Sequence, residues 1–332
     1  MSSFCCEVVT LGKVGKHPKA DSLSITTIDG GPCIFRTGDF MAGGNAIYVP
    51  IEAVVPLDNP AFAFLKQPDR PNKTTYRIRA RRIRGIFSMG MLIPTIDDSR
   101  PGTDMAARLG IVKYEEPEES LVDTGNERDP GFMPVYEIDS WRKHQGAMVL
   151  GEQVYVSEKL HGQGGRWTFR DGRLWVGSHR CIKARDERNR WWQIAAKYGL
   201  EEKLKNRPRY VVYGEVYGSK VQDLQYDCPP GEVRMAVFDV YDSNAGTFLG
   251  YENFVRFCAE LDLPRVTQLY VGPYDPELLV PMAEGPSTIA NHIREGWVVK
   301  PVVERWHITT GRVILKLVSE QYLIRSKGTE FH

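Results

Sequence analysis

Ser157-Glu158-Lys159-Leu160-His161-Gly162 is the stretch from which the rest of the chain is read. The residues from Gln153 to Glu158 predict a β-strand, so a lysine closes a strand and a glycine follows three positions on. Toward the C-terminus the pattern predicts further strands over Tyr210–Glu215, Val233–Tyr241, Gly296–Pro301 and Arg312–Leu317. Helical stretches fall between them, over Trp191–Leu204 and Asn253–Leu261. Trp191, Ile194 and Tyr198 recur at helical spacing and read as core. Strands and helices do not alternate one by one. The class expected is therefore α+β on a mainly antiparallel sheet with flanking helices, not a set of βαβ units.

The part before this stretch reads differently. Residues 4–12 and 46–55 are rich in branched and aromatic residues and predict strands, as does Tyr76–Ile83. Gly30-Gly31-Pro32 and Ala42-Gly43-Gly44-Asn45 predict turns. Many short strands with such turns suit a small β-barrel, with a β-sandwich as the alternative. From residue 113 the chain turns acidic, with Pro and Gly and little apolar periodicity, as a linker does. The expected division is a β-barrel domain over 1–112, a linker over 113–132 and a second domain over 133–332.

Bulk properties limit the function classes. At 332 residues two domains are natural, and 42% apolar content is enough for ordinary cores. The 43 basic and 42 acidic residues nearly cancel, so any polyanion-binding surface must be local. None of the six cysteines forms a C-x-x-C pair, which predicts free thiols in a reducing compartment. No apolar run is long enough to span a membrane and no leader pattern opens the sequence. A soluble, cytoplasmic protein is expected.

A lysine amine attacks phosphorus only when unprotonated. With an ordinary pKa, roughly one lysine in a few thousand is neutral at pH 7, so a nucleophilic lysine needs a site that favours its neutral form. K-x-x-G alone is also an ordinary surface lysine before a turn. The order of segments behind it changes the reading: Ser178-His179-Arg180, Tyr213-Gly214-Glu215, Val237-Phe238-Asp239-Val240, Glu295-Gly296-Trp297-Val298-Val299-Lys300-Pro301, and Leu315-Lys316 within 312–323. This series resembles motifs I, Ia, III, IIIa, IV and V of the covalent nucleotidyltransferases, which include DNA ligases, RNA ligases and mRNA capping enzymes. The E-K-x-H-G form of motif I, with E-G-x-V-x-K-P, resembles ATP-dependent RNA ligases. In the first part, 16–23 resembles the H-P-x-A-D-x-L start of tRNA-binding OB domains. Residues 77–94 resemble a segment of the RNA ligase family that carries an OB domain ahead of its ligase domain.

The resemblance implies roles. Lys159 would take AMP from ATP, with Glu158 and Gly162 in the same nucleotide-binding motif. Arg180 would hold the ribose or an incoming 5′-phosphate. Phe238 would stack on adenine, although V-F-D-V is equally a buried strand. Glu215 and Glu295 would be catalytic carboxylates that hold Mg²⁺ or Mn²⁺ through waters, because Mg²⁺ dehydrates reluctantly. Lys300 and Lys316 would neutralise the triphosphate. His161 stands where many DNA ligases have aspartate and is expected to be a hydrogen-bonding residue. Motif V departs from the usual K-x-K: Ile314 and Val318 flank Lys316 at two residues, so Arg312 or Lys300 would carry more of the phosphate charge.

RNA is the implied partner. In a strand, Arg77, Arg79 and Arg81 share one face, which suits a polynucleotide backbone on an OB barrel or, equally, a solvated edge strand. Arg180, Lys183 and Arg185 open a second basic cluster. The activity expected is joining of 3′-hydroxyl and 5′-phosphate ends through lysyl-AMP and an adenylylated 5′ end, with RNA on the 3′-hydroxyl side. The alternatives are a DNA ligase or capping-type nucleotidyltransferase, and a non-catalytic RNA-binding protein with a degenerate ligase domain.

Overall fold

A computed structural model of the chain describes residues 4–70, 72–97, 99–114, 126–179 and 181–325. The chain divides into two compact units, residues 1–117 with 320–331, and residues 118–319 with 332. Much of the expected linker, 115–125, lies outside the described residues.

The first unit holds β1 (Val8–Thr10), β2 (Gly15–His17), β3 (Ala20–Ile28), β4 (Gly31–Arg36), β5 (Asn45–Val49), β6 (Ala53–Pro56), β7 (Thr75–Arg77), β8 (Arg81–Ile83), β9 (Ile86–Ser88), β10 (Met91–Ile93), the short helix α1 (Ala106–Leu109) and β11 (Val112–Lys113). They pair antiparallel in small sheets, β1-β5-β10, β11-β6-β7, β2-β3-β4 and β8-β9. One core gathers Val8, Ile47, Val49, Val55, Phe62 and Ile78. The expected strand over 46–55 is broken in two. Glu52 takes a left-handed conformation, φ 69°, and turns its carboxylate to Arg77. The expected strand over 76–83 also divides, pairing first with β6 and then with β9. Its alternation survives the break: Tyr76, Ile78 and Ala80 are buried, and Arg77 and Arg79 between them are half-buried.

The second unit is built on two five-stranded sheets. Its strands are β12 (Asp139–Ser140), β13 (Gln153–Lys159), β14 (Gln163–Arg170), β15 (Arg173–Ser178), β16 (Tyr210–Gly218), β17 (Val233–Asp242), β18 (Thr247–Phe248), β19 (Gln268–Pro273), β20 (Gly296–Pro301), β21 (Trp306–His307), β22 (Gly311–Arg312) and β23 (Leu315–Val318). One sheet runs β15-β14-β16-β17-β18 and the other β12-β23-β20-β13-β19; among the described strand pairs of these sheets only β12 and β23 run parallel. This is the α+β, mainly antiparallel architecture expected.

Side-chain alternation gives each sheet an apolar back and a polar front. On the first sheet Trp167, Val176, Val212, Val237 and Val240 meet α2 (Arg190–Lys197), α3 (Leu200–Lys205) and α4 (Tyr251–Glu260). On the second, Val154, Val156, Trp297, Val299, Leu315 and Leu317 pack with Trp141 and with Leu279 of α5 (Pro276–Leu279). Fully burying one such aliphatic side chain contributes about 1.5–3 kcal/mol.

Two expected elements are interrupted. The helix over 191–204 breaks at Gly199, whose φ of 61° ends α2 and begins α3. The strand over 312–317 breaks at Val313–Ile314, where the Val313 N–H turns to the carbonyl of Arg305. The last helix, α6 (Glu320–Leu323), belongs to the first unit. None of the six cysteines is in a disulfide. No helix among the described residues is long and apolar enough to cross a membrane.

Candidate active site

Lys159 ends β13 in one sheet, and after a three-residue turn the chain enters β14 in the other. The turn Leu160-His161-Gly162 is therefore a crossing between sheets, and it is held from several sides. Gly162 is forced by space. A Cβ there would overlap the carbonyl oxygen of Val216 and stand 3.0 Å from Cγ of Glu215. Its N–H donates to the Glu215 carboxylate. The His161 N–H donates to the hydroxyl of Tyr226 (2.5 Å), and its Nε2 lies 2.8 Å from Oδ1 of Asp223. Burial holds the His161 imidazole below its usual pKa, against the pull of Glu295 and Asp223. The ring is a hydrogen-bonding element of the turn, as expected.

Three candidate groups come together here. The Lys159 ammonium lies 2.8 Å from Oε1 of Glu295, and both side chains are buried. Glu295 directly precedes β20, whose Gly296 faces Lys159 in the ladder. That glycine is also forced, because a Cβ would overlap the carbonyl oxygen of Leu317 on β23. Glu215 projects from the front of the other sheet. Burial pushes its carboxyl up to about 7, against the pull of Lys159, while the charge of Glu295 pushes the same way as burial. Lys316, on β23, shares the front of its sheet with Lys159: it faces Val298, which in turn faces Ser157. It is buried at 6% exposure.

Glu158 points the other way, since neighbours in a strand alternate. Its carboxylate accepts from Oγ of Ser287 (2.6 Å) and from N–H (2.8 Å) and hydroxyl of Thr288, with Nε of Arg294 at 3.9 Å. It anchors the segment that leads into Glu295. Lys300 and Arg312 are tied into a buried ion cluster. Lys300 Nζ donates to the carbonyl of Phe238 (2.8 Å) and lies 3.2 Å from Oδ2 of Asp239. Arg312 grips both oxygens of Asp239 (2.6 and 3.1 Å) and both of Glu304 (2.7 and 2.6 Å), and its Cζ lies 3.8 Å from the centre of the Phe248 ring. Tyr136 completes the set, donating to Asp239 at 2.7 Å. Phe238 is half-buried on the same front as Glu215, packed with Met133, Ile182, Val211 and Tyr213.

The basic residues divide. Arg180 lies outside the described residues. Lys183 is buried at 4% exposure, its ammonium 4.5 Å from the centre of the Trp191 ring. Arg185 is exposed, 3.5 Å from Glu201. In the first unit Arg77 is committed: its guanidinium pairs with Glu52 and stacks over Tyr114 at 3.6 Å. Arg79 is half-buried; Arg81, Arg82 and Arg84 are exposed.

Asp223, Tyr226, Asp239, Ser287 and Thr288 all support the site and were missed in sequence. Asp223 and Tyr226 lie 62 and 65 residues from His161, and no local pattern marks a partner at that range. Asp239 stood inside a quoted motif, but its neighbours Lys300 and Arg312 are 61 and 73 residues downstream by number.

As a metal site the arrangement is sparse. Among the described residues no group of three or more His, Cys, Asp or Glu side chains is placed to hold a metal ion. Glu215 and Glu295, two carboxylates in each other's field, fit a hydrated divalent cation that keeps several waters and completes its shell with phosphate oxygens.

Comparison with known proteins gives the family and the fold. The RNA ligase family model matches residues 152–318, and an OB-fold domain model matches residues 7–95. The chain belongs to the RNA ligase family. No curated protein matches its sequence. Among solved structures it is similar to the Naegleria gruberi RNA ligase with pyrophosphate, with TM-score 0.81 and 21% identity over 96% of this chain and 97% of that one. It is also similar to a variant of the same ligase with ATP and manganese, with TM-score 0.82 and 22% identity over 96% and 98%. At these identities the likeness is one of fold, and it runs through both the OB-fold barrel and the ligase unit.

Proposed function

We propose that this protein is an ATP-dependent RNA ligase that joins 3′-hydroxyl and 5′-phosphate ends in three steps. In the first, the Lys159 amine attacks the α-phosphorus of ATP, a P–N bond forms, and pyrophosphate leaves. In the second, AMP passes to the RNA 5′-phosphate; in the third, the 3′-hydroxyl attacks that phosphate and AMP leaves. The observation that carries this reading is the Lys159–Glu295 ion pair at 2.8 Å, buried at a crossing of two sheets with Glu215 beside it. A divalent cation held by Glu215 and Glu295 would supply positive charge beside the amine and the phosphates, which favours the neutral amine and the leaving pyrophosphate. The protein's own contribution is placement, because the turn after Lys159 is fixed by Glu215, Tyr226 and Asp223.

Phe238 is assigned to the adenine and Lys316 to the phosphates. Arg180 is assigned to the ribose or to the 5′-phosphate end. The division into a barrel for RNA and a ligase unit for ATP follows from where these groups fall in the chain. In the barrel the RNA contacts pass to Arg81, Arg82 and Arg84, since Arg77 already serves Glu52 and Tyr114. Sealing of breaks with RNA on the 3′-hydroxyl side, as in RNA repair, is the physiological task proposed.

The test is labelling with α-³²P-ATP and Mg²⁺, followed by a denaturing gel. Wild type should take label, stable to alkali and lost in acid, and Lys159→Ala should not. Label retained by the alanine variant would remove Lys159 from its role. Sealing assays on nicked duplexes with RNA or DNA in each strand then decide the polynucleotide.

A further inference from the structure

We infer that Lys300 is a positioning residue for the ring of Phe238 and not a ligand of the triphosphate. This deepens the ATP reading above and rests on it. The ammonium of Lys300 is 2% exposed and has protein partners on several sides. It donates to the carbonyl of Phe238, faces Asp239, and sits 5.1 Å from the ring centre of Tyr155 and 5.8 Å from that of Phe254.

The place where it donates is irregular. Tyr213 of β16 faces Asp239, yet the next residue, Gly214, faces Val237. Phe238 is thus the extra residue of a β-bulge. A bulge interrupts the ladder and re-aims a side chain, and it leaves backbone groups in need of other partners. Lys300 supplies one of them. Because Lys300 is on β20 and Phe238 on β17, this bond runs from one sheet to the other. It joins the strand that starts next to Glu295 to the strand that carries the aromatic ring.

Charge leads to the same assignment. Lys300, Arg312, Asp239 and Glu304 form a buried set of two cations and two carboxylates. The set is balanced, so its ammonium has no surplus charge to offer a phosphate. Moving it toward one would leave Asp239 short of a partner and the Phe238 carbonyl without its donor, and unpaired buried charges are strongly disfavoured. Lys316, on the same front as Lys159, keeps its assignment to the phosphates, and Lys300 serves the base.

The experiment measures inhibition of Lys159 adenylylation by adenosine and by pyrophosphate, and KM for ATP, in wild type, Lys300→Met, Asp239→Asn and Phe238→Leu. Loss of the ring's placement should weaken adenosine and ATP together, about tenfold, on the scale of one base–aromatic stack. Pyrophosphate inhibition should stay as in wild type. Phe238→Leu should reproduce the pattern, and the Lys300→Met, Phe238→Leu double variant should add little to either. If Lys300→Met instead weakens pyrophosphate and ATP but spares adenosine, Lys300 is a phosphate ligand and the inference is overturned. Should Lys300→Met fail to fold, Asp239→Asn still decides. Positioning predicts weaker adenosine binding with pyrophosphate unchanged, whereas a phosphate-binding lysine relieved of its counter-ion would bind pyrophosphate more tightly. A wild-type protein that takes no label from ATP would sink the nucleotide reading itself, a result distinct from either pattern.

Discussion

Replacing Gly162 with alanine is the smallest change that should disable the proposed chemistry. A Cβ at this position would overlap the carbonyl oxygen of Val216, in the middle of β16, and come to 3.0 Å from both Cγ and Oε1 of Glu215. Neither neighbour can give easily. Val216 is paired on both sides, to Gln163 and to Met235, and is fully buried. The turn must move instead, by about 1 Å, to restore an ordinary C···O separation. Lys159 is three residues away and moves with it, and its 2.8 Å contact with Glu295 opens. A displacement of about 1 Å at reacting groups costs on the order of 100-fold in rate. The assay is single-turnover adenylylation with labelled ATP, alongside thermal unfolding. Gly164→Ala is the matched control, because a Cβ at Gly164 meets nothing within 4 Å. We expect Gly162→Ala to fall by about two orders of magnitude in rate, and Gly164→Ala to unfold at the wild-type temperature. A Gly162→Ala protein that labels within a few-fold of wild type would refute the argument that this turn places the amine.

Other expectations follow from the ion cluster and the barrel. Arg312→Met leaves Asp239 and Glu304 buried without their shared partner, and should lower unfolding free energy by about 3–5 kcal/mol in urea titration. Burial pushes the Asp239 carboxyl up, but Arg312 and Lys300 together outweigh it and hold the group below the usual carboxylate range. Its stabilisation is therefore present above the ordinary aspartate pKa of about 3.9 and is lost as pH falls through the lower, folded value. The stability gap between wild type and Asp239→Asn should be flat near neutrality and narrow in acid; a gap that widens in acid contradicts the sign. Replacing Arg81, Arg82 and Arg84 together should weaken nick binding and reduce its log–log salt slope by about 0.7–0.9 for each phosphate no longer neutralised. Arg77→Ala should act mainly on stability, through Glu52 and Tyr114, and leave that slope in place.

Much of this was legible in the sequence because it is local. A strand that closes on Lys159 and a glycine three residues later are set by neighbours in the chain, whereas the bulge at Phe238 depends on the register between β16 and β17. The six motifs keep their order because each ends or occupies a strand. Breaks were harder to read, since they arise from contacts elsewhere. Glu52 interrupts its strand to reach Arg77, and Val313 leaves its ladder for the carbonyl of Arg305.

The sequence by itself named the candidates, an amine, two carboxylates, an aromatic ring and several cations, in an order that resembles the RNA ligase family to which the chain belongs. It could not say how the cations are shared out, because charge is settled by proximity and burial. Arg77, Lys183, Lys300 and Arg312 all read as free positive charge along the chain. Only the tertiary structure brings Glu52 to Arg77, lays Trp191 under Lys183 and puts Asp239 between Lys300 and Arg312. A buried cation must be neutralised or shielded where it sits, and its partner can come from any part of the chain that the fold carries past it.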